Sequence, residues 1–171
     1  MSALQRRRAA SIAYVPAFVA LSACSGVKTY PNDMAVKNLS IRTATSAGSM
    51  FSSVRAELDV HSVDASCRTQ YVGTVDLGQS STAVGIPAER ASYLVFNFLS
   101  SSFLGGERGR ITREVFIQPR ADQRYEIDVT YRDNLYDVVL RERMPRGAAR
   151  EVPLLNLNAC RQAGTNPNPR S

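Results

Sequence analysis

Residues 54–61, Val-Arg-Ala-Glu-Leu-Asp-Val-His, alternate without a break: Val54, Ala56, Leu58 and Val60 are apolar, whereas Arg55, Glu57, Asp59 and His61 are polar or charged. Only a backbone that sends successive side chains to opposite faces can bury the first set and hydrate the second, so the stretch has to be a strand with one wet face. Residues 124–131 repeat the pattern, with Tyr125, Ile127, Val129 and Tyr131 opposed by Arg124, Glu126, Asp128 and Thr130. Around these two lie further short runs rich in Val, Ile, Leu, Thr, Tyr and Phe, separated by turn residues. The pattern predicts strands over 36–43, 54–61, 70–77, 82–86, 93–99, 111–117, 124–131 and 135–143, with a short ninth over 152–157. Asp133 and Asn134 both tolerate positive φ and supply a tight hairpin between the seventh and eighth. No internal repeat, heptad pattern or long amphipathic helix interrupts the series.

Eight or nine short strands within 36–161 predict one all-β domain, an antiparallel β-sandwich. The 171 residues, 44% of them apolar, suffice for a single core and not for two full domains. The stretch "IQPRADQRYEIDVTYRDNLYDVVL" resembles the corner of fibronectin-type and immunoglobulin-like domains, where a proline-containing turn leads into a tyrosine that starts an inward-alternating strand. The resemblance implies that Tyr125 is the corner tyrosine. Another two-sheet sandwich or a small barrel is the alternative.

The amino-terminal 23 residues have a different design. A basic cluster, Arg6 to Arg8, precedes the apolar run "AASIAYVPAFVAL", the layout of a secretory signal. The run is too short to span a bilayer, which takes about 20 apolar residues. It ends in Leu21-Ser22-Ala23-Cys24, which resembles the lipobox of bacterial lipoproteins: a branched apolar residue, two small ones and a cysteine. The resemblance implies cleavage before Cys24, diacylglycerol on the Cys24 thiol and stable anchoring by two or three acyl chains. Ser25 follows rather than Asp; in enterobacterial lipoproteins an Asp there directs retention at the inner membrane, so outer-membrane anchoring is implied. The alternative is an ordinary signal peptide followed by a chance cysteine.

Three cysteines are an odd number for an exported chain. With Cys24 acylated, Cys67 and Cys160 remain as one candidate disulfide, expected in an oxidising compartment. Two separate thiols, or a reactive Cys67, are the alternatives. The expected organisation is therefore signal peptide 1–23, acylated tether 24–35, sandwich 36–161 and disordered tail 162–171.

The formal charge of +6 includes the three arginines of the signal. Removing them leaves 18 basic against 15 acidic residues, or +3, a mild excess that does not suggest nucleic acid. Arg141, Arg143, Arg146 and Arg150 cluster around a single Glu142 and form a candidate contact for anionic head groups or glycan, or else a solubilising loop. Phe103 and Leu104, at the tip of the loop "SSFLGGERGR", form a candidate partner contact. The only histidine, His61, shares a strand face with Glu57 and Asp59, and Glu126 shares one with Asp128; both sets read as solvated faces rather than as a metal site or a carboxylate pair.

These residues predict a lipoprotein anchored at the outer membrane through acyl chains on Cys24, with its domain facing the periplasm. Its expected role is non-catalytic, binding or structural, with an envelope protein or glycan as partner and no cofactor, metal or nucleic acid. Two rival readings are a cell-wall hydrolase or hydrolase inhibitor, and a lipid or lipopolysaccharide carrier.

Overall fold

The computed structural model describes residues 27–46, 52–102, 108–132, 135–144 and 147–165. Nine strands and one helix follow in chain order: β1 (Leu39–Thr45), β2 (Ser52–Val63), β3 (Thr69–Asp76), β4 (Ser81–Val84), β5 (Ser92–Ser102), β6 (Arg108–Ile117), β7 (Arg124–Arg132), β8 (Leu135–Arg143), β9 (Ala149–Val152) and α1 (Asn158–Thr165). They form two sheets, one ordered β4-β1-β7-β8-β9 and the other β3-β2-β5-β6. The all-β sandwich expected from alternation is the fold observed.

The core lies where alternation places it. Ala56, Leu58 and Val60 of β2 face Ile127, Val129 and Leu140 of the other sheet's β7 and β8, together with Leu39, Ile41, Leu94, Phe96, Phe98 and Val115, all buried. Fully burying one such side chain stabilises the fold by roughly 1.5–3 kcal/mol, so this layer dominates the energetics. Tyr125 is also buried, and its hydroxyl accepts a hydrogen bond from the Arg120 main-chain N–H at 3.2 Å, five residues back, which ties the turn to the start of β7.

Three features depart from the sequence expectations. First, β1 pairs with β7 in parallel, Leu39 opposite Tyr125 through Thr45 opposite Tyr131; the two strands are far apart in sequence, so no hairpin forces them to run opposite ways. Second, the expected tether is largely part of the domain. From Lys28 onward it forms a strap beside β3, where Tyr30 N–H donates to Thr74 O (2.9 Å) and Thr74 N–H donates to Lys28 O (2.8 Å). The buried Tyr30 hydroxyl donates to Gly85 O at 2.8 Å. Gly73 permits this approach, because a Cβ there would lie 2.6 Å from the N and Cα of Tyr30. Asn38 closes the strap with a reciprocal pair of 2.9 Å bonds to the Ile86 main chain.

Third, the carboxy-terminal region differs in detail. The ninth strand is Ala149–Val152, and it stops at Pro153, which has no N–H for the ladder. Leu155 then crosses to the other sheet and accepts from Phe116 N–H at 2.6 Å. The expected tail at 162–165 belongs instead to α1; Asn156 accepts from Asn158 N–H at 3.0 Å before its first turn. Cys67 and Cys160 are joined, with Cα atoms 5.9 Å apart and a sequence separation of 93. The bond staples α1 to the turn between β2 and β3, where Cys67 has a φ of 57° and the Asp64 carboxylate accepts from the N–H groups of Ser66 and Arg68.

Candidate binding face on the four-stranded sheet

The sequence marks only one strand of this face, β2. The register adds the rest. Phe116, Tyr93, His61 and Tyr71, one from each of β6, β5, β2 and β3, stand opposite one another in a single row. A bulge between Val60 and His61 in the pairing of β2 with β3 brings Tyr71 into that row. The rings of Tyr71 and Tyr93 meet the His61 imidazole edge to face, with centroids 5.5 and 5.8 Å away, an arrangement that aromatic quadrupoles favour. Tyr71 is 38% exposed and the other three are partly exposed.

The next rows are polar. Asp59 accepts hydrogen bonds from Thr74 Oγ1 and from Asn97 Nδ2 (2.7 Å). Asn97 Oδ1 in turn accepts from Arg110 Nε at 3.1 Å, and Arg110 Nη2 lies 3.6 Å from Asp59. Asn97 is only 1% exposed although it belongs to the outward face, so both ends of its amide are used, as a buried polar group requires. At the far end Arg55 pairs with Glu57 (3.2 Å) and Asp76 (3.0 Å). Arg55, Arg110 and Leu99 line an open groove of about 370 Å³ with Ser53, Ser100 and Ser101.

Burial lowers the His61 pKa, with Asp59 opposing the shift, so the imidazole is neutral at pH 7. The Tyr93 phenol is pushed well above its ordinary range, first by burial and then by its hydrogen bond to Glu114. At neutral pH these groups therefore present neutral rings and hydroxyls on the face. Glu57, Asp59 and His61 do share one face. Asp59, however, is spent on Thr74, Asn97 and Arg110, and among the described residues no group of three or more His, Cys, Asp or Glu can hold a metal ion.

The structure does not gather the other candidates there. Arg141 pairs with Asp128, Arg143 with Glu126 (2.8 Å) and Arg150 with Glu142 (3.7 Å), so three members of the arginine cluster are matched to carboxylates. Arg42 joins Asp128 as well, at 2.7 Å. Burial raises the Asp128 pKa, but hydrogen bonds from Arg42 and Arg141 outweigh it and the net shift is downward. Cys24, Phe103, Leu104, Arg146 and the Asp133-Asn134 turn lie outside the described residues. The aromatic row escaped the sequence reading because each of its strands contributes only one ring. Comparison with protein-family models, with curated proteins and with solved structures gives no match in any of the three.

Proposed function

We propose that this chain is a lipid-anchored, non-catalytic binding module of the cell envelope, held at the outer membrane through Cys24 and presenting the outward face of its four-stranded sheet to an envelope partner. The observation that carries the binding role is that face, where a partly exposed aromatic row adjoins a bonded polar network. Rings of this kind give contact area at low entropic cost, and neighbouring amides and guanidiniums give direction.

Other observations favour binding over the rival readings. Glu126 and Asp128, the pair a hydrolase would use, are matched by Arg143, Arg42 and Arg141 on a sheet face. The space between the sheets, where a lipid carrier would hold its cargo, is occupied by Phe96, Phe98, Leu39, Leu58 and Ile127. The strap adds a constraint. Lys28 is already bonded to Thr74, so an acyl group on Cys24 would sit at most about 14 Å of chain from the domain. The module would rest against the bilayer surface rather than swing on a long tether.

Two experiments test the reading. Cys24→Ser in the full chain should lose palmitate labelling and leave the membrane fraction; retained labelling overturns the anchor. A crosslinking pull-down from membranes should lose its partner in a Tyr93→Ala, Phe116→Ala double variant that still folds. An unchanged partner set overturns the face.

A further inference from the structure

The four-stranded sheet has two edges, β3 and β6. The strap covers β3 at Thr74, and the edges of the other sheet, β4 and β9, are only four residues each. Long open edges invite pairing with another chain, and proteins ordinarily cover or shorten them. Among the described residues three edges are managed and β6, ten residues long, is not. Its outward contact among the described residues is the bond from Phe116 N–H to Leu155 O.

That bond fixes the direction of every other group on the strand. Alternate residues of an edge strand turn their N–H and C=O to the same side. Arg110, Thr112 and Glu114 therefore share the parity of Phe116 and point their main-chain groups away from β5, to which Ile111 and Val115 are turned. The side chains of Arg110, Thr112 and Glu114 also share the outward face of the sheet, in the rows headed by Leu99, Asn97 and Val95 of β5. Ile111, on the opposite face, is 38% exposed, unlike the buried Val115 further along the strand.

Read antiparallel to itself about Thr112, the sequence Arg110-Ile111-Thr112-Arg113-Glu114 is complementary. Thr112 meets Thr112, and Arg110 meets Glu114 twice. All three pairs are of the type that exchanges two hydrogen bonds, because all three residues present main-chain groups outward. The ladder ends where the next outward donor, Phe116, is already engaged. We infer that the β6 edge is the interface for a second copy of this chain, joining two four-stranded sheets into one of eight strands, with Arg110 and Glu114 meeting across it. Arg110 Nε already holds Asn97 and Glu114 already takes a hydrogen bond from Tyr93, so the two meet through their remaining donors and acceptors. Five residues of edge bury little area, so the dimer is a weak one. The inference stands on the edge alone and does not depend on the proposed anchor.

The test uses two epitope-tagged copies of the full chain, co-expressed and extracted in mild detergent. Wild-type copies should co-precipitate. Glu114→Arg places arginines against arginines, Arg110→Glu places acids against acids, and either variant paired with itself should lose at least about tenfold of the recovered partner. Glu114→Arg on one copy and Arg110→Glu on the other restore both opposite-charge pairs, and recovery should return. Thr112→Pro removes an outward N–H and fixes φ, a change that edge strands accept on their open side, and should abolish recovery while leaving thermal unfolding by circular dichroism near wild type. No wild-type co-precipitation, loss without rescue in the mixed pair, or indifference to all three substitutions would each overturn the inference.

Discussion

Gly73 is the position at which one methyl group should do the most damage. A Cβ there would lie 2.6 Å from two main-chain atoms of Tyr30, whereas non-bonded carbons rest about 3.5–4.0 Å apart. Neither partner can give way, because both are backbone, so in Gly73→Ala the strap has to leave the edge of β3. Its departure exposes Tyr30, worth roughly 1.5–3 kcal/mol. It also hands the bonds to Thr74 and Gly85 to water, at about 1 kcal/mol net for each. The residues set free recover conformational entropy of about 1–2 kcal/mol apiece, which offsets much of that loss, so the expected destabilisation is about 1–3 kcal/mol. Urea unfolding followed by circular dichroism reads it directly, and amide exchange at Thr74, whose N–H is bonded to Lys28, should become fast. Tyr30→Ala removes the same anchor, so the double variant should be little worse than either single one. Stability of Gly73→Ala within about 0.5 kcal/mol of wild type, or full additivity with Tyr30→Ala, would refute the account.

Two further outcomes follow from the staple and from His61. Replacing Cys67 and Cys160 together by Ser opens a loop with a separation of 93 residues and should cost about 4–5 kcal/mol in the chain-entropy description; mass spectrometry of non-reduced protein should find the two peptides linked, and free thiols at both would contradict the structure. His61 has a lowered pKa in the fold, so on acidification the unfolded chain takes up its proton first and is favoured. Stability should therefore fall as pH drops through about 6.5 toward the lower folded value. In His61→Gln the urea midpoint should be flat over that interval, and an unchanged slope would show that another group is responsible.

Strands whose two faces differ in polarity could be read from the sequence. β2 and β7 alternate cleanly, and their buried residues are those that alternation selects. What alternation cannot carry is the partner of each strand. The aromatic row exists because His61 stands opposite both Tyr93 and Tyr71, a relation between strands and not within any one of them, and the bulge at His61 further shifts the parity of β3. The strap was equally hidden: "SGVKTYPNDMA" has the polarity of a linker, yet the Tyr30 ring, together with the main-chain bond of Lys28 and the side-chain bonds of Asn32, docks it, because Gly73 leaves room. The cysteine pairing was legible for a simpler reason, since assigning Cys24 to lipid left only two thiols. α1 lacked a local signal of any strength; its position follows from the covalent bond at Cys160 and the passage of Leu155 beside Phe116.

The strap and the open edge lie on opposite sides of one sheet, β3 at one end of the order and β6 at the other. Three inter-strand steps of about 4.8 Å separate them, so the proposed anchor, entering beside β3, would lie away from β6. Antiparallel pairing of two β6 strands in a continuous sheet requires a two-fold axis perpendicular to that sheet. Such an axis puts both aromatic rows on the same side and both straps at the outer margins. If each strap leads within a few residues to an acyl group, both anchors reach one bilayer when the axis runs along the membrane normal, with the joined sheet lying parallel to the surface. Lengthening the segment between Cys24 and Lys28 by a flexible ten-residue insert should then relax the orientation and weaken co-precipitation from membranes. It should leave association of the detergent-extracted chain unchanged, and equal losses in the two settings would separate the edge from the anchor and refute their coupling.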